Sequence, residues 1–227
     1  AAADAGVRHL VFGSSAFVYS GRDDMIGADT VADPVLDYGR AKVDAERVLD
    51  EIAADSPLTV GSLRLPHVYG PQSLLFSFVR KRFLPFPGRG RNRFAQLHVA
   101  DAARAMIVAA ERRWQGVAPI SAGESPTWNE FFGVLEEYAP RVKVVRMPAG
   151  FAIAGAAVAG PVLGRVGPTM VTPDTIRGWN LDVAIDAGSV WAELGLEPEH
   201  PTVLTGIPSV LDDVVSFRWR HPVADFS

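Results

Sequence analysis

The most informative absence in this sequence is cysteine, which occurs nowhere in its 227 residues. A chain without cysteine has no disulfides, no thiolate nucleophile and no cysteine-based metal site. Its five histidines show no spacing with carboxylates that is typical of metal ligation, so we predict no bound metal. A reducing compartment fits this composition without being required by it, and we expect a cytoplasmic protein.

An excess of positive charge is also lacking. The 22 basic and 26 acidic residues give a net charge of −4, which argues against generic binding to nucleic acid or to an anionic membrane surface. The apolar, small-residue stretch 149–164 is shorter than the ~20 residues of a membrane-spanning helix and has a proline near its end. We therefore interpret it as a packing helix and expect no membrane partner.

What the sequence does contain is an alternation of short apolar runs with helical periodicities. We predict strands at 7–12, 56–65, 116–123 and 141–147, and helices at 37–54, 73–82, 98–113 and 125–139. Proline and glycine predict loops at 66–71 and 83–93, and helices fill most of the remainder, the last over 209–219. Strands separated by helices of this length require crossover connections, so the predicted fold class is α/β with a parallel sheet.

Tyr38 and Lys42 are the first pair of residues with a chemical implication. They lie four residues apart in "YGRAK", so both side chains project from one face of the predicted helix. A lysine ammonium close to a phenol favours the phenolate, and a phenol tuned in this way can act as a general acid or base. The alternative is a surface tyrosine and a solvated lysine that happen to lie one turn apart.

The surrounding motifs distinguish these two interpretations. A strand ends in "SSAFVY", the tyrosine–lysine helix follows, and then come "RLPHVYGP", "HVADAA" and, near the end, "ELGLEPE". In this order the motifs resemble those of the extended short-chain dehydrogenase/reductase family, which includes NAD(P)-dependent epimerases, dehydratases and enzymes similar to 3β-hydroxysteroid dehydrogenase. The resemblance covers nearly all of the chain, and several ordered motifs are far more specific than any single one.

The resemblance implies the C-terminal part of a Rossmann-type parallel sheet together with a small, mostly helical substrate lobe. The core would comprise residues 1–71 and 98–124, and the lobe residues 72–97 and 125–227. The family's glycine-rich phosphate turn has no counterpart in this sequence. We therefore expect the chain to be part of a longer protein whose intact mass exceeds 24.4 kDa, with strand 7–12 at an exposed sheet edge.

The resemblance also implies individual roles, with NAD or NADP as the cofactor. Tyr38 would be the catalytic acid/base, and Lys42 would favour its ionised form and hold the nicotinamide ribose hydroxyls. Ser15 would hydrogen-bond the reacting oxygen of the substrate, with Ser14 in support. Pro66 and His67 would begin a loop that passes along the nicotinamide. The His67 side chain could touch substrate or could be a loop histidine bonded to the backbone, and we expect the latter. For His98 we expect a structural role, and for Asp101 that it caps or orients the start of helix 98–113.

A basic segment, residues 80–93, carries six cations and no acid. Arginine forks match phosphate oxygens, so Arg89, Arg91 and Arg93 could clamp the diphosphate of a nucleotide sugar. The alternative for this segment is a solvated basic loop.

The substrate class stays open between two alternatives. The basic segment favours a nucleotide sugar, whereas His67 and the apolar stretch 149–164 favour an apolar alcohol or ketone of the 3β-hydroxysteroid kind. We expect the nucleotide sugar as the small-molecule substrate. A non-catalytic NAD(P)-binding sensor or assembly subunit is the competing class, although such relatives commonly lose the Tyr or Lys that this chain keeps. A homodimer through the tyrosine–lysine helix is implied by the resemblance alone.

Overall fold

Strands and helices alternate through most of the chain. The computed structural model describes residues 2–22, 24–163 and 172–220. Its strands are β1 (His9–Ser15), β2 (Thr59–Leu65), β3 (His67–Tyr69), β4 (Phe83–Pro87), β5 (Gln96–His98), β6 (Gly116–Pro119) and β7 (Lys143–Met147). Its helices are α1 (Asp37–Ala54), α2 (Leu74–Arg80), α3 (Val99–Glu111), α4 (Trp128–Tyr138), α5 (Ala149–Leu163), α6 (Pro173–Trp179), α7 (Gly188–Glu193) and α8 (Val203–Arg220), with one 3-10 turn at Ala16–Val18. The α/β fold class is confirmed.

The largest sheet has three parallel strands in the order β1-β2-β6. Strand β1 lies at its edge among the described residues, as the sequence predicts. It runs from His9 to Ser15, so it starts two residues later than predicted and includes both serines. Ser14 pairs with Arg64 and Ser15 with Leu65, so β1 and β2 end side by side. Side chains at the carboxyl ends of neighbouring parallel strands meet at one edge of a sheet, where α/β proteins bind ligands.

Two smaller parallel sheets correct two of the loop predictions. Residues 67–69 form β3 and pair with β5, and residues 83–87 form β4 and pair with β7. Strand β4 contains Pro85 and Pro87, which lack an N–H group and fit a strand that is paired on one edge only. Proline content predicted a loop there, but Leu84 and Phe86 are almost fully buried and hold the segment against the core.

The helix starts show which polar residues cap and which do not. His98 caps α3, because its Nδ1 accepts a hydrogen bond from the Ala100 N–H at 3.2 Å. Asp101, which was predicted to cap or orient the start of this helix, is fully buried, and its carboxylate accepts from the backbone N–H groups of Glu199 and His200. Helix α4 begins with a capping box between Thr127 and Glu130. The structural role predicted for His98 is therefore confirmed. Of the two alternatives predicted for Asp101, capping is wrong, and orienting the helix start stays a prediction.

After β7, most of the residues that the structure describes are helical, as predicted, although α8 begins at Val203 rather than near residue 209. In the predicted packing segment 149–164, residues 149–163 form α5, and residue 164 lies outside the described residues. Among the described residues no helix meets the length and hydropathy needed to cross a bilayer. The core joins residues of the large sheet to an aromatic group made up of Tyr69, Phe86, Phe94, Trp128, Phe131 and Phe132.

Candidate functional site

The carboxyl end of β1 holds the first predicted site residue, Ser15. Its side chain is 8% exposed, and its Oγ accepts a hydrogen bond from the Phe17 N–H at 3.2 Å, which caps the 3-10 turn. A hydroxyl that accepts in this way still has its own hydrogen to donate. The neighbouring Ser14 Oγ is buried and has no hydrogen-bond partner within the described part of the chain. Two hydroxyls with unused hydrogen-bonding capacity thus lie at the end of this strand.

Helix α1 approaches the turn after Ser15 very closely. A Cβ added at Gly39 would lie 1.9 Å from the Phe17 carbonyl oxygen, so only glycine allows this contact between the two backbones. The Phe17 ring packs edge-on against Tyr38, with the ring centroids 6.1 Å apart. The first turn of α1 is therefore fixed against the residues that follow Ser15, which brings Tyr38 to the same edge of the sheet.

Tyr38 and Lys42 share one face of α1, as the spacing predicts. The Lys42 Nζ lies 5.7 Å from the centroid of the Tyr38 ring and donates a 2.8 Å hydrogen bond to the Gly13 carbonyl oxygen. An ammonium has three donors, so two remain without a hydrogen-bond partner among the residues described. Tyr38 is 51% exposed, which leaves its ring accessible to a ligand. The structure thus brings Ser15, Tyr38 and Lys42 together around the end of β1.

His67 lies at the start of β3, and half-buried Pro66 connects that strand to β2. The Nδ1 atom of His67 lies 2.6 Å from the Gln96 side-chain oxygen, so its partner is a side chain and not the backbone that we expected. Its ring packs against Trp128, with the centroids 5.1 Å apart. Burial lowers the pKa of His67, and the hydrogen bond to Gln96 only partly opposes this, so the ring is neutral at pH 7.

Two of the three predicted phosphate-binding arginines line an open cavity of about 820 Å³. Arg89 and Arg91 extend from the segment that follows β4, and Arg146 of β7 joins them. Gly90 has a φ of +67°, which glycine adopts without strain, and its carbonyl accepts from the Asn129 N–H at 2.9 Å. The lining residues include three arginines and no carboxylate. The cavity therefore suits an anionic ligand.

Arg93 has a different environment. Its guanidinium forms an ion pair with Asp182 at 2.7 Å, and the residue does not line the cavity that Arg89 and Arg91 share. Binding of phosphate by Arg93 would require this ion pair to be exchanged.

Asn129 and Arg146 are the cavity residues that the sequence motifs did not reveal. The Asn129 side-chain oxygen accepts from Nε and Nη2 of Arg146 at 3.1 and 2.8 Å, and its amide nitrogen donates to the Arg89 carbonyl at 3.2 Å. Arg146 reaches the cavity because β7 pairs with β4 in a register that places it opposite Phe86. That pairing joins residues 60 positions apart in the sequence, so no local sequence pattern predicts it.

Comparison with known proteins shows which family this chain belongs to. Residues 1–121 match the model of the NAD dependent epimerase/dehydratase family. Two uncharacterized proteins of Sinorhizobium fredii are similar as well. The protein y4nL is 34% identical over 146 residues, which is 60% of this chain and 41% of that protein. The protein y4nG is 30% identical over 205 residues, which is 86% of this chain and 50% of that protein. The chain thus spans about half the length of these curated relatives, or less.

Solved structures with the same fold include nucleotide-sugar enzymes. MoeE5 in complex with UDP-glucuronic acid and NAD is 24% identical with a TM-score of 0.69, and the match covers 91% of this chain and 64% of MoeE5. UDP-N-acetylglucosamine 4-epimerase from Methanobrevibacter ruminantium is 16% identical with a TM-score of 0.71, over 95% of this chain and 65% of the epimerase. These similarities confirm the Rossmann-type architecture.

Proposed function

The chain belongs to the NAD dependent epimerase/dehydratase family, and from this premise we propose that the protein acts by hydride transfer on a hydroxyl or carbonyl group of a nucleotide sugar. Tyr38 is the acid/base in this proposal, and NAD or NADP is the cofactor. The observation that carries it is the grouping of Ser15, Tyr38 and Lys42 at the carboxyl end of β1. Such grouping of a proton donor, a cation and a hydroxyl is what this chemistry requires.

The residues at this edge fit the nicotinamide end of the cofactor. Lys42 has two unused donors for ribose hydroxyls. Pro66 and His67 follow β2 directly at the same edge, which supports the role predicted for them beside the nicotinamide. When bound, the nicotinamide would accept the hydride of the reacting carbon and could return it.

The chain's own residues would manage the proton and the developing charge. In the oxidative direction, Tyr38 takes the proton of the substrate hydroxyl as the hydride leaves the same carbon, so that the alcohol becomes a carbonyl. Ser15 donates its hydroxyl hydrogen to that oxygen while its Oγ remains bonded to the Phe17 N–H. Lys42 places its ammonium 5.7 Å from the centroid of the Tyr38 ring, beside the phenol that exchanges the proton. The reverse steps reduce the carbonyl, so an epimerisation is redox-neutral overall.

The arginine cavity supports a nucleotide sugar as the substrate. Arg89, Arg91 and Arg146 offer three guanidinium groups to a diphosphate, and arginine binds such groups through paired hydrogen bonds. MoeE5 has been solved with UDP-glucuronic acid and with UDP-glucose, each together with NAD. An apolar alcohol is the second candidate, favoured by the Met147, Pro148 and Ala149 wall of the same cavity. A cytoplasmic location and a homodimer through α1 stay predictions.

The Tyr38→Phe variant of the intact protein tests this proposal. We expect NAD(H) binding to persist and turnover of a UDP-sugar to fall about 10²–10⁴-fold, because the variant lacks only the hydroxyl group that exchanges the proton. Cofactor binding is measured by NADH fluorescence, and turnover by absorbance at the nicotinamide band or by product analysis. Wild-type protein that binds cofactor but converts no UDP-sugar and no apolar alcohol would instead support the sensor function.

A further inference from the structure

A buried ion pair beneath the catalytic helix has no part in the chemistry described above. Glu46 of α1 and Arg64 of β2 are 5% and 9% exposed, and Nη2 of Arg64 lies 2.7 Å from a carboxylate oxygen of Glu46. We propose that Glu46 and Arg64 are positioning residues, which hold Tyr38 and Lys42 in register with Ser15. This inference rests on the proposed function, because it assumes that these three residues act on the substrate.

Glu46 continues the functional face of α1. Tyr38, Lys42 and Glu46 follow one another at four-residue intervals, so they lie on one side of the helix. Lys42 is fastened to the Gly13 carbonyl of β1, and Glu46 accepts from Nε and Nη2 of Arg64 at 3.0 and 2.7 Å. The helix is thus attached to two adjacent strands by two successive turns of the same face.

Arg64 also reaches the chain that follows Ser15. Its Nη1 donates a 2.9 Å hydrogen bond to the Tyr19 hydroxyl, and its guanidinium carbon lies 5.2 Å from the centroid of the Tyr19 ring. Arg64 pairs with Ser14 in the sheet register. One rigid guanidinium fork therefore connects the catalytic helix at Glu46 with Tyr19, four residues after Ser15.

The geometry of this group points to positioning rather than to stability alone. Burial by itself would lower the pKa of Arg64, but its hydrogen bonds to Glu46 and Tyr19 outweigh that effect and raise it. A buried ion pair is costly to desolvate, and apolar replacements of similar volume often give equally stable proteins. Apolar replacements cannot form the directional hydrogen bonds that the Glu46–Arg64 pair makes. Since the reacting groups must be placed within fractions of an ångström, directional contacts on α1 matter for turnover.

The first variant is Glu46→Gln, with Glu51→Gln as the matched control. Glu51 is on the same helix and pairs with Arg47 at 2.6 Å, but both of these side chains are about 62% exposed. We expect kcat of the intact protein on a UDP-sugar to fall about 10–100-fold in Glu46→Gln, with KM within about twofold of wild type. The control removes the same charge and leaves both constants unchanged. Equal kcat values for the two variants would overturn the proposal.

A second variant separates positioning from folding. Tyr19→Phe, Glu46→Leu and Arg64→Met are combined, so that no buried polar group is left without a partner. We expect this protein to fold with a melting temperature close to wild type and to keep the reduced kcat. A triple variant with wild-type stability and wild-type kcat would overturn the inference. The inference would also be overturned if the triple variant melted well below wild type while the Glu46→Gln variant kept full activity.

Failure of the proposed function remains distinguishable from failure of this inference. If the wild-type protein converts no substrate, the positioning role is tested instead by amide hydrogen exchange at residues 38–42 of the triple variant. Protection below that of wild type, at matched global stability, supports positioning by Glu46 and Arg64. Protection equal to wild type overturns it.

Discussion

The β1–α1 edge and the arginine cavity are built in opposite ways. At the edge, backbone meets backbone at Gly39, and the Glu46–Arg64 pair is shielded from water. In the cavity, Arg89 and Arg91 are exposed and belong to a glycine-containing segment. The arrangement at the edge fixes the position of α1 relative to β1, whereas the arrangement in the cavity supplies positive charge.

This difference corresponds to what each region would have to do. Proton and hydride transfer depend steeply on distance, so the groups at the β1 edge gain from a rigid support. Attraction between guanidinium groups and a diphosphate declines gradually with distance, so exposed arginines can adjust around the ligand. Changes at the edge should therefore reduce kcat, whereas changes in the cavity should raise KM. The predictions below test this division, in order of decreasing effect.

Gly39→Ala should have the largest effect. The new Cβ would lie 1.9 Å from the Phe17 carbonyl oxygen, so α1 must move away from the turn after Ser15. We expect kcat to fall about 100-fold or more, and the free energy of unfolding to decrease by about 1–3 kcal/mol. Steady-state kinetics and thermal denaturation of the intact protein measure both.

Gly133→Ala is the matched control for that substitution. Gly133 is an exposed residue inside α4, and an added Cβ would meet no atom within 4 Å. The same chemical change should leave kcat unaltered and stabilise the protein by about 0.5–1 kcal/mol, because alanine favours a helix interior. If both variants lost activity equally, the close contact at Gly39 would not be what places Tyr38.

The contrast between the regions also explains what the sequence could predict. Ser15, Tyr38 and Lys42 lie in local motifs on a regular strand and a regular helix, so the order of the motifs and the family that they resemble were sufficient to predict these residues as a group. Their catalytic roles stay predictions. Strands β3 and β4 were missed because each is short and stabilised by a distant partner. Arg146 was missed for the same reason, since only the pairing of β4 with β7 brings it to the cavity.

Asn129→Ala should have an intermediate effect, confined to KM. Without the amide, Arg146 loses the acceptor of two of its N–H groups, and the Arg89 carbonyl loses one donor. Both arginines become less well oriented, and we expect KM for a UDP-sugar to rise about tenfold while kcat stays within about twofold. The control is Lys143→Ala, which removes a cation from an exposed position on the same strand as Arg146 but outside the cavity. A fall in kcat at unchanged KM for Asn129→Ala would contradict the division of roles.

His67→Asn should have the smallest effect, and it concerns stability against pH. His67 links the two regions, because it follows the end of β2 and packs on Trp128, the neighbour of Asn129. Burial lowers the pKa of His67 below its usual 6.5, so the unfolded chain binds a proton more readily than the folded one. The stability that neutral His67 supports is complete above pH 6.5 and is lost as the pH falls through the lower pKa of the folded state.

Asparagine can keep a hydrogen bond to Gln96 but does not titrate. Melting temperatures between pH 7.5 and pH 5 should therefore decline more steeply for the wild type than for the variant, and parallel curves would mean that His67 is not shielded from protonation in the way its packing requires.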